Sequence, residues 1–160
     1  MPKIDIAAAP TRIGTGYPPP YDEMCKGRYR SKLGDAAGLT QFGVNLLRLP
    51  AGQWSSQRHW HTAEDEFVWV VEGEVVLVTD EGEQVLRPGD CAGFPAGVAN
   101  GHHLQNRSDR DALLLEVGSR RPGEDGGHYP DIDLVLDVGA TQYRHRDGTP
   151  YVGTQTARSR

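Results

Sequence analysis

The stretch GQWSSQRHWHTAEDEFVWVVEG, residues 52–73, carries two strand signals around a short polar turn. Side chains on a strand alternate between faces. His59 and His61 therefore point the same way and Trp60 points the other. The four residues 62–65 form a tight polar turn, and Glu66 opens the second strand of a hairpin. Glu66 can thus return to the side occupied by the two histidines, so two imidazoles and a carboxylate converge on one point. The following residues, Phe67 to Glu72, are β-branched and aromatic and end at Gly73.

Working outward, the β signal continues on both sides. Residues 44–49 form an apolar run closed by Pro50, Ala51 and Gly52, and residues 54–61 read as the next strand. Further strands are expected at 74–79, 84–86, 91–94, 101–106, 112–117 and 132–138, with turn residues between them. Short strands at regular spacing with frequent turns indicate a sandwich or barrel. No helix-period pattern of useful length interrupts them, which disfavours a doubly wound α/β fold. Twenty glycines and eleven prolines in 160 residues agree with many turns. The expected fold class is all-β: residues 1–40 an extended N-terminal arm that packs on the barrel or on a partner subunit, 41–152 the barrel with its C-terminal strand and loop, and 153–160 a frayed tail. Tyr17, Pro18, Pro19, Pro20 and Tyr21 read as the extended part of the arm.

Composition removes several function classes. The net charge of −5 and the lack of a basic stripe argue against nucleic acid as a partner. No run of about 18 apolar residues is present, so no membrane-spanning helix is expected. Residues 1–10 lack a secretory core, which sets the expectation of a cytoplasmic protein. Cys25 and Cys91 form no zinc-type pair and read as ordinary thiols.

A second informative segment lies some forty residues after the first, with Gly89, Pro95, Gly97, His102, His103 and Asn106. Together the two segments resemble the paired motifs of the cupin family. The first matches in its His-x-His, in the four residues before Glu66 and in the six before Gly73, and departs by one extra residue between Gly52 and His59. The second matches in Gly89, Pro95, Gly97 and Asn106, and departs by two extra residues before the histidine. Its histidine-to-asparagine spacing selects His102 rather than His103. The resemblance spans roughly residues 44–118. It implies a double-stranded β-helix, or jelly-roll barrel, with His59, His61, Glu66 and His102 as ligands of one divalent transition metal: Fe, Mn, Ni, Zn or Cu.

Such a site suggests a metal-dependent enzyme acting on a small oxygen-rich metabolite, a sugar derivative or organic acid, and the resemblance extends to short bacterial cupins described as sugar-phosphate isomerases. An iron dioxygenase and a non-enzymatic small-ligand-binding protein are the alternatives. The catalytic residues, including any general base, are unassigned at this level. Glu64 and Asp65 read as a solvated turn, and His103 as a surface histidine. Phe67 and Trp69 should lie on the outer face, and their cover suggests a homodimer. His128, Tyr129, Pro130, Asp131, Tyr143, His145, Asp147 and Tyr151 are loop residues that could close over the mouth, and Arg48 and Arg58 are exposed by default.

Overall fold

The computed structural model describes residues 3–152, so the expected tail from Gly153 lies outside the described residues. Strand β1 (Thr11–Ile13), β2 (Tyr29–Lys32), β3 (Phe42–Leu49), β5 (Glu66–Glu72), β8 (Cys91–Phe94) and β10 (Ala112–Ser119) form one six-stranded antiparallel sheet in the order β1-β2-β3-β10-β5-β8. Strands β6 (Val75–Thr79), β7 (Gly82–Leu86) and β9 (His103–Gln105) form a second sheet, and β4 (Trp60–His61), β11 (Gly127–Tyr129) and β12 (Leu134–Leu136) a third. Isolated bridges His59↔His102 and Trp54↔Gln105 link the two smaller sheets. The result is a two-layered jelly roll.

The packing follows from alternation. On β5, Val68 and Val70 are buried, while Phe67 and Trp69 are 39% and 49% exposed on the outer face. Leu47 and Leu49 of β3 and Leu114 of β10 join the two valines, and from the opposite layer Val75, Leu77, Leu86 and Leu104 meet them in the main core. The turn after β5 requires Gly73: its φ is +78°, and a Cβ there would stand 2.8 Å from the Ala112 Cα.

A second core joins the arm to the C-terminal hairpin. Tyr17 and Cys25 pack with Tyr129, Leu134, Leu136 and Tyr143. The arm also supplies β1 and β2 at the sheet edge, strands with little apolar alternation to announce them. The proline run closes in a turn, the Tyr21 N–H donating to Pro18 O at 2.9 Å. Three other details depart from the sequence reading. Residues 55–58 are bends between the isolated bridges of Trp54 and His59, and only Trp60–His61 is a strand. The final strand is limited to Leu134–Leu136. Gly127–Tyr129, read as loop, pairs with both β12 and β4.

Asn106 locks the junction beside the main core. It is 1% exposed; its Nδ2 donates to Leu49 O at 2.8 Å and Arg110 O at 2.7 Å, and its Oδ1 accepts from Ser108 N and Oγ. Asn106→Leu removes the donor for two carbonyls and is expected to destabilise the fold by about 1–3 kcal/mol. Urea denaturation of the two proteins checks this, and an unchanged midpoint would show that the junction carries no such weight.

Candidate metal centre

β4 and β5, joined by residues 62–65, place His59, His61 and Glu66 on one side of the barrel interior. The His59↔His102 bridge brings His102 to the same place. From Glu66 Oε2, the Nε2 atoms of His59 and His61 are each 3.6 Å away and that of His102 is 2.9 Å away. Trp60 turns outward and stacks on His128 with ring centroids 4.3 Å apart.

The other ring nitrogen of each histidine faces an acceptor. His59 Nδ1 is 2.9 Å from Gln57 O, His61 Nδ1 is 2.7 Å from Asp125 Oδ2, and His102 Nδ1 is 3.4 Å from Asn100 O. A carbonyl or carboxylate oxygen can only accept, so these contacts place the proton on Nδ1. When the rings are neutral, their Nε2 lone pairs then face a carboxylate. Electron-rich atoms set against one another in this way repel unless a cation lies among them. Ligating histidines usually have this second contact, which fixes tautomer and ring orientation. His59, His61 and Glu66 offer ligand atoms all within 4.8 Å of one another and form a group able to hold a metal ion. Rings hold the imidazoles in place: Phe94 stacks on His102 at 3.6 Å and Tyr129 on His59 at 5.6 Å.

The cluster opens on a cavity of about 520 Å³ that also exposes Arg12, Tyr17, Arg28, Arg30, Glu64 and Glu116. That volume suits a small metabolite. Arg30 donates to both Glu116 oxygens, at 2.6 and 2.9 Å. Burial opposes the Arg30 charge, but Glu116 more than offsets this, and the pKa ends above its ordinary value. Burial raises the pKa of Tyr17 and Tyr129, so both phenols stay protonated near neutral pH and can donate hydrogen bonds.

Several residues differ from their sequence reading. His103 is 5% exposed, not on the surface: it packs edge-on against Trp54 at 4.9 Å, and its Nδ1 is 2.9 Å from Ser56 O. The layers enclose both faces of this strand, so both adjacent histidines are covered. Glu64 is 9% exposed and accepts from the Arg121 N–H at 2.8 Å, because the turn tucks under the chain after β10. Asp65, as expected, is exposed. Arg58 is a strut between Asp80 and Asp131, whereas Arg48 is exposed beside Asp111. Tyr129 and Tyr143 are buried, their hydroxyls 3.5 Å apart. Asp125 escaped the sequence reading because it lies 64 residues from His61 in a glycine-rich tract.

Comparison with known proteins agrees with this architecture. The cupin domain family matches residues 45–118. A protein of known structure from Silicibacter pomeroyi, described as a sugar phosphate isomerase from a cupin superfamily, is 46% identical; the match covers 97% of this chain and 99% of that one, with a TM-score of 0.87. The chain belongs to the cupin superfamily. This cupin also matches a protein from Acidithiobacillus ferrooxidans described as a candidate sugar phosphate isomerase, at 30% identity over 74% of each chain with a TM-score of 0.66. A predicted oxalate decarboxylase from Thermotoga maritima shares the fold, at 16% identity over 74% of this cupin and 99% of that chain, with a TM-score of 0.60. No curated protein matches the sequence. Among the described residues, no helix is long and apolar enough to cross a membrane.

Two predictions follow from the geometry. Asp125→Asn removes the carboxylate behind His61 and is expected to weaken metal binding by roughly 10–100-fold, read as metal content after dialysis against a graded chelator. Unaltered retention would mean that Asp125 does not act through His61. Burial, the largest cause, lowers the His103 pKa below its ordinary 6.5. The unfolded chain therefore takes up this proton first as pH falls, and the folded state loses stability from about pH 6.5 downward. His103→Gln should reduce the stability difference between pH 7 and pH 5, measured by urea denaturation at both.

Proposed function

We propose that His59, His61, Glu66 and His102 hold one divalent transition metal, and that the protein is a metal-dependent isomerase of a small phosphorylated sugar. The observation that carries the metal reading is the set of Nε2 atoms turned toward the Glu66 carboxylate, with each Nδ1 engaged elsewhere. The reaction class draws support from the 46%-identical Silicibacter pomeroyi protein, whose description is sugar phosphate isomerase.

A bound metal would polarise a carbonyl or hydroxyl oxygen of the sugar. Isomerisation also needs a general base to move a proton between neighbouring carbons. Glu66 is committed to the metal in this reading, and Glu116 is held by Arg30. We assign the base to Glu64, a buried carboxylate that lines the same cavity and is oriented by the Arg121 N–H. Tyr17 and Tyr129, kept protonated by burial, supply donors to substrate oxygens rather than bases.

The test begins with elemental analysis of protein purified without added metal. It continues with a panel of aldose and ketose phosphates, followed by NMR with that metal present. Interconversion is expected for at least one pair. Glu64→Gln should lower kcat by about 10²–10⁴-fold with metal content retained. Oxygen uptake with iron and no interconversion would replace this reading with a dioxygenase. His59→Ala and His102→Ala proteins that both keep full metal content would remove the metal assignment.

A further inference from the structure

Arginines are gathered on one face of the ribbon made by β1 and β2. Arg12 lies directly opposite Arg30 in the register, and Arg28 stands two residues before Arg30, on the same side. All three line the cavity that contains His59, Glu66 and His102. Like charges directly opposite one another destabilise a strand pair, so this arrangement favours negative charge in front of it. Glu116 provides one such charge, and both its oxygens go to Arg30.

Arg28 is served differently. It is 6% exposed, its Nε donates to Gly14 O at 3.0 Å, its Nη1 donates to Ser55 O, and its guanidinium lies 5.8 Å from the centre of the Tyr17 ring. Both acceptors are neutral carbonyls. Among the described residues Arg28 has no carboxylate within ion-pair distance, and its Nη2 makes no hydrogen bond. A guanidinium stays charged even when buried, and a buried charge is costly without an opposite charge. Among the described residues, the fold therefore keeps at the cavity wall a cation with no carboxylate paired to it.

We propose that Arg28 forms an anion subsite beside the β1–β2 ribbon that holds the phosphate group of the substrate while its sugar carbons face the His59–His61–Glu66 cluster. The assignment to a substrate phosphate rests on the sugar-phosphate reading above. The forked donors of arginine match phosphate oxygens in geometry. Tyr17, beneath Arg28 and protonated, adds a hydroxyl to the same wall.

The subsite can be detected without turnover. Full-length protein is titrated with inorganic phosphate, and binding is read by thermal shift and by ³¹P NMR line broadening, with acetate as the monoanionic comparison. Saturable phosphate binding, tighter than that of acetate, is expected. Arg28→Gln should raise the phosphate Kd by about tenfold or more, the loss of one charged hydrogen bond. Arg28→Lys, which keeps the charge but not the fork, should raise it by a smaller factor and keeps the test valid if the Gln variant does not fold. Arg87→Gln, whose guanidinium pairs with Glu74 on the surface, should leave Kd unchanged. His59→Ala should also leave phosphate binding in place. Its loss there would put the anion on the metal and overturn the proposal, as would phosphate binding no tighter than acetate or insensitive to both arginine substitutions. Phosphate binding that depends on Arg28, in a protein that interconverts no sugar phosphate, would sink the isomerase reading and leave the anion subsite standing.

Discussion

The convergence of three imidazole nitrogens on one carboxylate is the constraint on which the rest of this barrel depends. The Nε2 atoms of His59 and His61 stand 3.6 Å and that of His102 2.9 Å from Glu66 Oε2, an arrangement no flexible chain would keep. Rigidity comes from behind. Val68 and Val70 anchor the strand that bears Glu66, and both are almost fully buried against Leu47, Leu49 and Leu114. The His59↔His102 bridge fixes the other side through paired backbone bonds, His59 N to His102 O at 3.1 Å and His102 N to His59 O at 2.9 Å. Close-packed interiors resist the small shifts that would let such groups drift apart. Core packing thus holds the imidazoles and Glu66 in register.

The central barrel was legible because its strands alternate strongly and its turns carry glycine or proline. Glu66–Glu72 and Cys91–Phe94 appear with the bounds read from sequence. The His59, His61 and Glu66 cluster was legible for the same reason, since its spacing depends on local periodicity and one short turn. What failed to show was tertiary. β1 is a polar edge strand and β2 lies between it and β3, both pairing only because β3 offers a free edge, and Gly127–Tyr129 becomes a strand only because β4 and β12 flank it. Asp125 and Glu64 gain their roles from contacts across 57 to 64 residues, which no local pattern encodes.

The cavity divides into regions of opposite electrostatic character. At one place, imidazoles and a carboxylate form a group able to hold a metal ion. At another, guanidiniums and protonated phenols line the wall. Glu116 and Arg30 lie across the sheet from one another and compensate each other, so they shape the wall without setting its net charge. A ligand with a neutral, oxygen-rich body and one charged end would be oriented by this polarity before any specific contact formed.

The second core has a consequence for biosynthesis. Tyr17 and Cys25 come from the first part of the chain, and Tyr129, Leu134 and Tyr143 from the last, yet they share one apolar cluster. During translation, the residues through Ser119 clear the ribosome before the last hairpin has emerged. The nascent barrel can therefore bring its histidines and Glu66 together while one wall of the chamber is still missing. Arrival of the last hairpin then completes that wall.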